Sequence, residues 1–258
     1  MKTKILTLFI FCLLFSGIFA KIKFVFVKGG NFEMGSRMSS EDEKPIHTVV
    51  ISDFYISKTE ITQQEWESVM GYNNSHFKGD SLPVESVSWY EALEFCNKKS
   101  KAQRLKPVYY INSKMTTMDI NANGYRLPTE SEWEFAARGG NKAINTIYSG
   151  GNLPDIVGHL DAKRTYPVGQ KSPNELGIYD MSGNVAEWCW DWYDIKAYKL
   201  VAKSGKNRNP LGAYFGTYRS VRGGSWESEL KAGNVAFRHY QRPIKKTSTI
   251  GFRVVRKK

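Results

Sequence analysis

In KIKFVFVKGGNFEMGS, residues 21 to 36, Ile22, Phe24 and Phe26 alternate with Lys21, Lys23 and Val25 until Gly29 and Gly30 break the run. A period of two ended by paired glycines predicts a half-buried strand followed by a turn. HTVVISDFYISKTEIT gives another strand region. Thr62 with Glu65 three residues on is then a capping-box pattern opening the helix QQEWESVMG, with Gly71 as its stop. The same grammar recurs twice. Ser88 with Glu91 precedes WYEALEFCNKKS, in which Trp89, Ala92, Leu93 and Cys96 share one helical face, and Thr129 with Glu132 precedes SEWEFAARGG, closed by Gly139. Between these helices AQRLKPVYYINSKMTTMDINANGYRLP predicts a hairpin with an Asn-rich return. From Gly139 to Gly224 the chain is rich in Gly, Pro, Asn and aromatics without sustained period, so its regular elements are expected to be few and short.

Before Lys21 the layout differs. Lys2 and Lys4 precede an apolar run from Ile5 to Phe15 and small residues ending at Ala20, the layout of a secretory signal peptide, and the run is too short for a bilayer span. Cleavage is expected after Ala20, with an uncleaved anchor as the alternative, leaving residues 21–258 as one domain with no stable membrane span, secreted or periplasmic. The formal charge of +12 falls to +10 without Lys2 and Lys4. The basic residues are scattered, which favours an anion-tolerant surface over a dedicated polyanion site, and no nucleic-acid partner is expected. Cys96 and Cys189 remain; one disulfide is open to them, but they make neither a disulfide framework nor a set of four metal ligands. Stability then rests on an aromatic-rich core; the full sequence holds seven Trp, fourteen Tyr and fourteen Phe, and all but four of the Phe lie after residue 20.

The candidate chemistry is sparse. Glu130, Glu132 and Glu134 suggest acid/base work, but acids in a first helical turn are better explained by the helix dipole. His47, His76, His159 and His239 lack metal-ligand spacing, and His47, at a strand entry, reads as structural. Cys189 lies between Trp188 and Trp190 and reads as an apolar filler. In WCWDWYD the first two tryptophans suit a core, whereas Trp192, Tyr193 and Asp194 are better surface candidates.

Four ordered blocks, GGNFEMGS (29–36), YRLPTESEWEFAARGG (125–140), NELGIYDMSGNVAEWCWDWY (174–193) and RSVRGGSW with IGFRVV (219–255), resemble the formylglycine-generating enzyme, or sulfatase-modifying factor, family. The resemblance implies an α+β fold, a single loop-rich C-type-lectin-like domain whose terminal strands lie together, here Phe24–Val27 against Gly251–Val255. Active members of that family oxidise a sulfatase cysteine to formylglycine with copper held by two cysteines, at positions that match Ser228 and Gly233. Cu(I) requires soft thiolates, so copper is not expected. Ser225 and Asn184 match retained pocket residues, while Ala186 stands where the family has a tryptophan. YDMSGNVAEW matches a structural calcium site, with ligands implied at the side chains of Asp180 and Glu187 and the carbonyls of Gly183 and Val185. The 152–165 loop lacks the pattern of the family's second calcium site.

With the catalytic thiols replaced, the expected function is recognition of a protein or glycan in the cell envelope or outside. The cleft is expected between the 183–194 and 225–242 segments. Asn184, Trp192, Tyr193, Trp226, Arg238, His239, Tyr240 and Arg242 are the candidate contacts, because aromatics and arginine dominate binding hot spots. The alternatives are an oxidoreductase acting on a cysteine of a sulfatase-like protein through an unrecognised site, and a structural subunit of an envelope assembly.

Overall fold

The computed structural model describes residues 21–37, 40–112, 115–205 and 207–258. The expected signal peptide, 1–20, lies outside the described residues. The chain begins with β1 (Phe24–Val27), β2 (Gly30–Met34), β3 (His47–Ile51), β4 (Phe54–Ser57), α1 (Gln63–Met70) and α2 (Trp89–Ala102). It continues through β5 (Tyr109–Ile111), β6 (Thr116–Met118), β7 (Tyr125–Arg126), α3 (Glu130–Ala137) and α4 (Pro154–Val157). The last elements are β8 (Ala186–Trp192), α5 (Ala197–Ser204), β9 (Arg219–Arg222), β10 (His239–Gln241), β11 (Ile250–Gly251) and β12 (Val255–Lys257).

All three capping boxes form as read. The Thr62, Ser88 and Thr129 side chains each accept from the backbone N–H three residues on, and Glu65, Glu91 and Glu132 each accept from the cap's own N–H. Gly71 ends α1 at φ 80°, a left-handed conformation that costs glycine no Cβ clash. The hairpin forms too, as β5 against β6.

Two four-stranded sheets, ordered β1-β4-β12-β7 and β10-β9-β8-β11, are joined by two ribbons, β2-β3 and β5-β6. The terminal strands share a sheet without pairing directly, and Arg256 of β12 reaches over the Phe24 ring of β1 at 5.5 Å. Both pair with β4, β1 through Phe24 to Ser57 and β12 through Val255 to Ile56, so β4 lies between them. The terminal strands thus lie together as expected, with β4 between them and with the C-terminal strand at 255–257 rather than 251–255. Gly251 instead pairs with Glu187 in the other sheet, where a Cβ would stand 2.2 Å from the Val84 carbonyl oxygen. Phe252 then enters the core beside Trp66 and Phe95, and only afterwards does the chain join β4.

Two apolar clusters fill the interior. One gathers Trp66, Trp89, Phe95, Trp188 and Phe252, and the other Phe54, Trp133, Phe135, Cys189 and Tyr198. β1 lies between them, with Phe24 on the first and Val25 and Val27 on the second, while Phe26 is turned outward. Its alternation therefore separates two cores rather than core from water. β8 was not expected as a strand for a related reason. Both its faces are covered, so five of its seven residues are buried, Glu187 and Asp191 included: Trp188 points to one cluster and Cys189 to the other. Cys96 and Cys189 are free and buried, so no disulfide joins them. Among the described residues no helix is long and apolar enough to cross a membrane.

Candidate functional site

The segment after Gly223 and Gly224 carries the two positions where the family resemblance places copper thiolates. Ser228 Oγ lies 3.0 Å from Ser225 Oγ and accepts from the Ser225 N–H at 3.0 Å, so it fastens the loop to itself. Gly233 is buried; its carbonyl accepts from Ser182 Oγ at 2.7 Å, and a Cβ there would stand 2.4 Å from a Leu160 methyl. A hydroxyl engaged in a turn and a position without a side chain do not fit Cu(I). The two thiols elsewhere offer no substitute, since burial pushes both Cys96 and Cys189 well above the ordinary thiol range.

The 180–187 segment is a buried carboxylate cluster. Asp180 sits in a left-handed turn at φ 57°; its Oδ2 accepts from the Gly169 N–H at 2.7 Å, whereas the buried Oδ1 has no partner. Burial, with Glu187 adding to it, pushes Asp180 up to about 6. Glu187 is gripped by Arg253 through Nε at 2.7 Å and Nη2 at 2.8 Å, and accepts from Trp133 Nε1 at 2.7 Å. Glu60 completes the cluster. It accepts from the Val185 N–H at 2.9 Å and Asn184 Nδ2 at 2.7 Å, and burial, then Asp180 and Glu187, raise it well above the usual carboxylate range. Asn184 is thus spent inside the protein, with Oδ1 accepting from the Tyr166 N–H, and does not reach a ligand. Three carboxylates around one arginine, with an orphaned oxygen, suit a hard cation. Among the described residues no group of three or more His, Cys, Asp and Glu side chains is arranged to hold a metal, so such a cation would depend on the backbone carbonyls as well.

Next to this lies a second buried network. Glu130 accepts from Arg238 Nε at 2.7 Å and Nη2 at 2.9 Å, from Arg222 Nη1 at 3.0 Å and from Ser220 Oγ at 2.9 Å. Glu134 takes Arg222 Nη2 and Arg138 Nη2, both at 2.7 Å, and Glu132 takes Arg126 in a fork. The helix-dipole reading therefore covers only part of what these acids do. Glu132 serves the cap, while Glu130 and Glu134 hold α3 to β9 and β10. Arg238 is a correction to the expected contacts: its side chain is fully buried, and it supports the surface from behind.

The surface itself forms on β10, an edge strand. Tyr240 is 42 % exposed and packs with Tyr193 at 4.4 Å and Tyr218 at 4.9 Å between ring centroids. His239 is exposed and lies beside Tyr240; Arg242 is exposed one residue past the strand. Alternate residues of a strand face opposite ways, so Gln241 lies over Arg219 and Trp192 on the other side of the sheet from Tyr240. Trp226 belongs elsewhere. Its indole donates to the Ser248 carbonyl and packs edge-on against Phe77 at 5.3 Å. Of the candidate contacts, Tyr193 and Tyr240 meet at this edge with His239 and Arg242 beside them, whereas Trp192 lies on the inner strand β8 and on the opposite face, and Trp226, Asn184 and Arg238 do not join the surface. Tyr218 and Arg219 were missed, because in the sequence they read only as the lead-in to RGGSW.

The cavity that reaches Asp191 and Trp192 holds only about 30 Å³, and a groove of about 420 Å³ lies apart, lined by Glu33, Ser36, Arg37 and Lys44.

Mixed sheets with short helices and long connections define a C-type-lectin-like fold of the formylglycine-generating type. The solved structure of Treponema denticola variable protein 1 matches it with a TM-score of 0.81 and 32% identity, covering 91% of this chain and 95% of that one. The chain belongs to the sulfatase-modifying factor enzyme 1-like domain family, whose model matches residues 20–258. It is 40% identical over 248 residues to chaperone protein LppX of Paenibacillus barcinonensis, covering 83% of this chain and 81% of the relative. To the formylglycine-generating enzyme of Streptomyces coelicolor it is 26% identical, covering 87% and 86%.

Proposed function

We propose that this protein is an exported, non-oxidase member of the family that binds a ligand along the β10 edge, where the 183–194 and 225–242 segments meet. The observation that carries the reading is the pair Ser228 and Gly233. With a turn-bound hydroxyl and no side chain at the two thiolate positions, the family's copper chemistry lacks its thiolate ligands there, while β10 presents an aromatic edge. Fold alone does not assign activity, so the argument rests on this site. Between the two ligand classes a protein is favoured over a glycan, because a relative with 40% identity is named a chaperone. Export through residues 1–20 would deliver the protein to the periplasm or outside the cell.

Calcium has a structural role in this reading. Asp180 and Glu187, with the carbonyls of Gly183 and Val185, would hold it; the partnerless Asp180 Oδ1 and the excess negative charge around Glu60 support the fit. The ion would neutralise the cluster and fix the loop that leads into β8.

The test is retention of envelope proteins and arrayed glycans by the purified chain, compared with Tyr240→Ala and Tyr193→Ala. Loss of a retained species in both variants, with unchanged unfolding midpoints, is expected; equal retention by all three proteins would place the binding surface elsewhere.

A further inference from the structure

The arginines of the core obey a rule with one exception. Arg126, Arg222, Arg238 and Arg253 are buried and each meets a carboxylate within 3.0 Å. Arg219, only 2% exposed, meets none among the described residues. Its guanidinium carbon lies 3.6 Å from the ring centroid of Trp89 and 3.4 Å from that of Trp192, so an indole covers each face. Its one hydrogen bond runs from Nη1 to the Trp190 carbonyl at 2.6 Å, and the buried Nε has no partner. Nε and Nη2 form the side-on fork with which arginine grips a carboxylate. In this chain that fork is unused.

A buried cation without an anion is costly, and here burial pulls the guanidinium down to about 9. The polar groups around it, in order of their pull, are Tyr90, Asp191 and Tyr109. Asp191 is already engaged, accepting from the Glu130 N–H at 2.7 Å, and Tyr109 accepts from the Leu127 N–H at 2.8 Å. Tyr90 is 37% exposed, so the fork lies beside a group that borders water. Along β10, Gln241 pairs with Arg219, so the fork lies one strand in from that edge, behind Gln241 and on the face opposite Tyr240.

We propose that the Arg219 fork is a seat for a carboxylate carried by a protein segment that docks along the β10 edge. This rests on reading that edge as a binding surface, and it adds the chemistry of the partner, an acidic side chain or chain terminus. The slot favours that anion by shape. Trp89 and Trp192 stand 6.4 Å apart between ring centroids at an interplanar angle of 24°, room for one flat layer. A carboxylate extends the guanidinium plane between the two indoles, whereas a tetrahedral phosphate would drive oxygens into both ring faces. Charge points the same way: without Lys2 and Lys4 the chain carries a net +10 (12 − 2), so an acidic segment is also drawn in at long range.

The experiment follows the Arg219 Nε–Hε signal of ¹⁵N-arginine-labelled full chain by NMR, identified by its loss in Arg219→Lys. The probes are a hexapeptide bearing Glu, its Gln counterpart, inorganic phosphate and galacturonate. A saturable shift with the Glu peptide alone is expected, with affinity at least about tenfold weaker in Arg219→Lys, because lysine keeps the charge and loses the fork. A signal indifferent to the Glu peptide overturns the proposal, and so does an equal shift with the Gln peptide or with phosphate. A shift with galacturonate but not with the Glu peptide overturns the protein assignment in favour of an acidic glycan. The wild-type titration decides the matter even if Arg219→Lys fails to fold, the signal then being assigned by its nuclear Overhauser contacts to the Trp89 and Trp192 rings. If Tyr240→Ala abolishes ligand retention while the Arg219 signal never moves, the binding edge stands and only this inference falls.

Discussion

Replacing Glu130 by Gln removes the one carboxylate that two buried arginines share. Arg222 keeps Glu134 at 2.7 Å, but Arg238 is left with the carbonyls of Asp42 at 2.8 Å and Asp194 at 3.2 Å. An uncompensated buried charge costs about 3–5 kcal/mol; because only one arginine loses its sole acid, the lower end, about 3 kcal/mol, is expected. For a chain of this size that corresponds to a midpoint lower by roughly 6–12 °C. The pH dependence gives a second reading of the same network. Burial alone would raise Glu130, but Arg238 and Arg222 hold it well below the usual carboxylate range. A depressed carboxylate stabilises the fold above its unfolded pKa and loses that contribution as pH falls through the folded value. The stability gap between wild type and Glu130→Gln should therefore be widest at neutral pH and narrow toward about pH 3. Urea unfolding followed by tryptophan fluorescence measures both. Combining Glu130→Gln with Arg238→Met should recover part of the loss, because it removes the stranded cation. A cost under about 1 kcal/mol, or a gap that does not narrow in acid, would refute the reasoning that this network holds the edge strand in place.

Calcium should raise the thermal midpoint of the wild type and leave Asp180→Ala unmoved; an equal response in both, or none in either, would remove Asp180 from any cation site. Gly183→Ala combines a φ of 94° with a Cβ 2.3 Å from the His159 carbonyl oxygen, so a loss of about 2 kcal/mol or more is expected in chemical denaturation. Cys96 and Cys189 should resist a thiol reagent in native buffer and react together in denaturant, as both are fully buried with raised pKa. Rapid native labelling of either would show that the core opens there. Tyr240→Ala should leave the unfolding midpoint within about 1 kcal/mol of wild type, since the ring is a surface group, and a larger loss would make it structural.

The parts of this fold legible in the sequence were those fixed locally. Thr62, Ser88 and Thr129 announce their helices because a cap and its glutamate are neighbours in the chain, and the β5–β6 hairpin is signalled by its own return turn. β8 was not legible because its alternation, Trp188, Trp190 and Trp192 against Glu187, Cys189 and Asp191, is short, lies in a Gly- and Asn-rich stretch and buries both faces instead of one. α5 was missed as well; Lys196 caps it without a side-chain bond, so its start carries no signal. The crossing of residues 251–255 between sheets is set by Phe252 packing on Trp66 and Phe95, contacts far away in sequence. The candidate site divides the same way. Loss of the thiol positions could be read directly at Ser228 and Gly233, but burial of Asn184 and Arg238 depends on Glu60 and Glu130, which lie more than a hundred residues away. Arg219 was passed over because an unused fork is visible only when its neighbours are in place.

The most direct test of the central claim, a family scaffold that binds rather than oxidises, is turnover of a Cys-x-Pro-x-Arg peptide. Purified residues 21–258 would be supplied with Cu(I), oxygen and a thiol reductant, their folding confirmed by circular dichroism and the product read by mass spectrometry. The account predicts no formylglycine above a no-protein control. Conversion well above that control would show a catalytic site that Ser228 and Gly233 do not account for, and would contradict it.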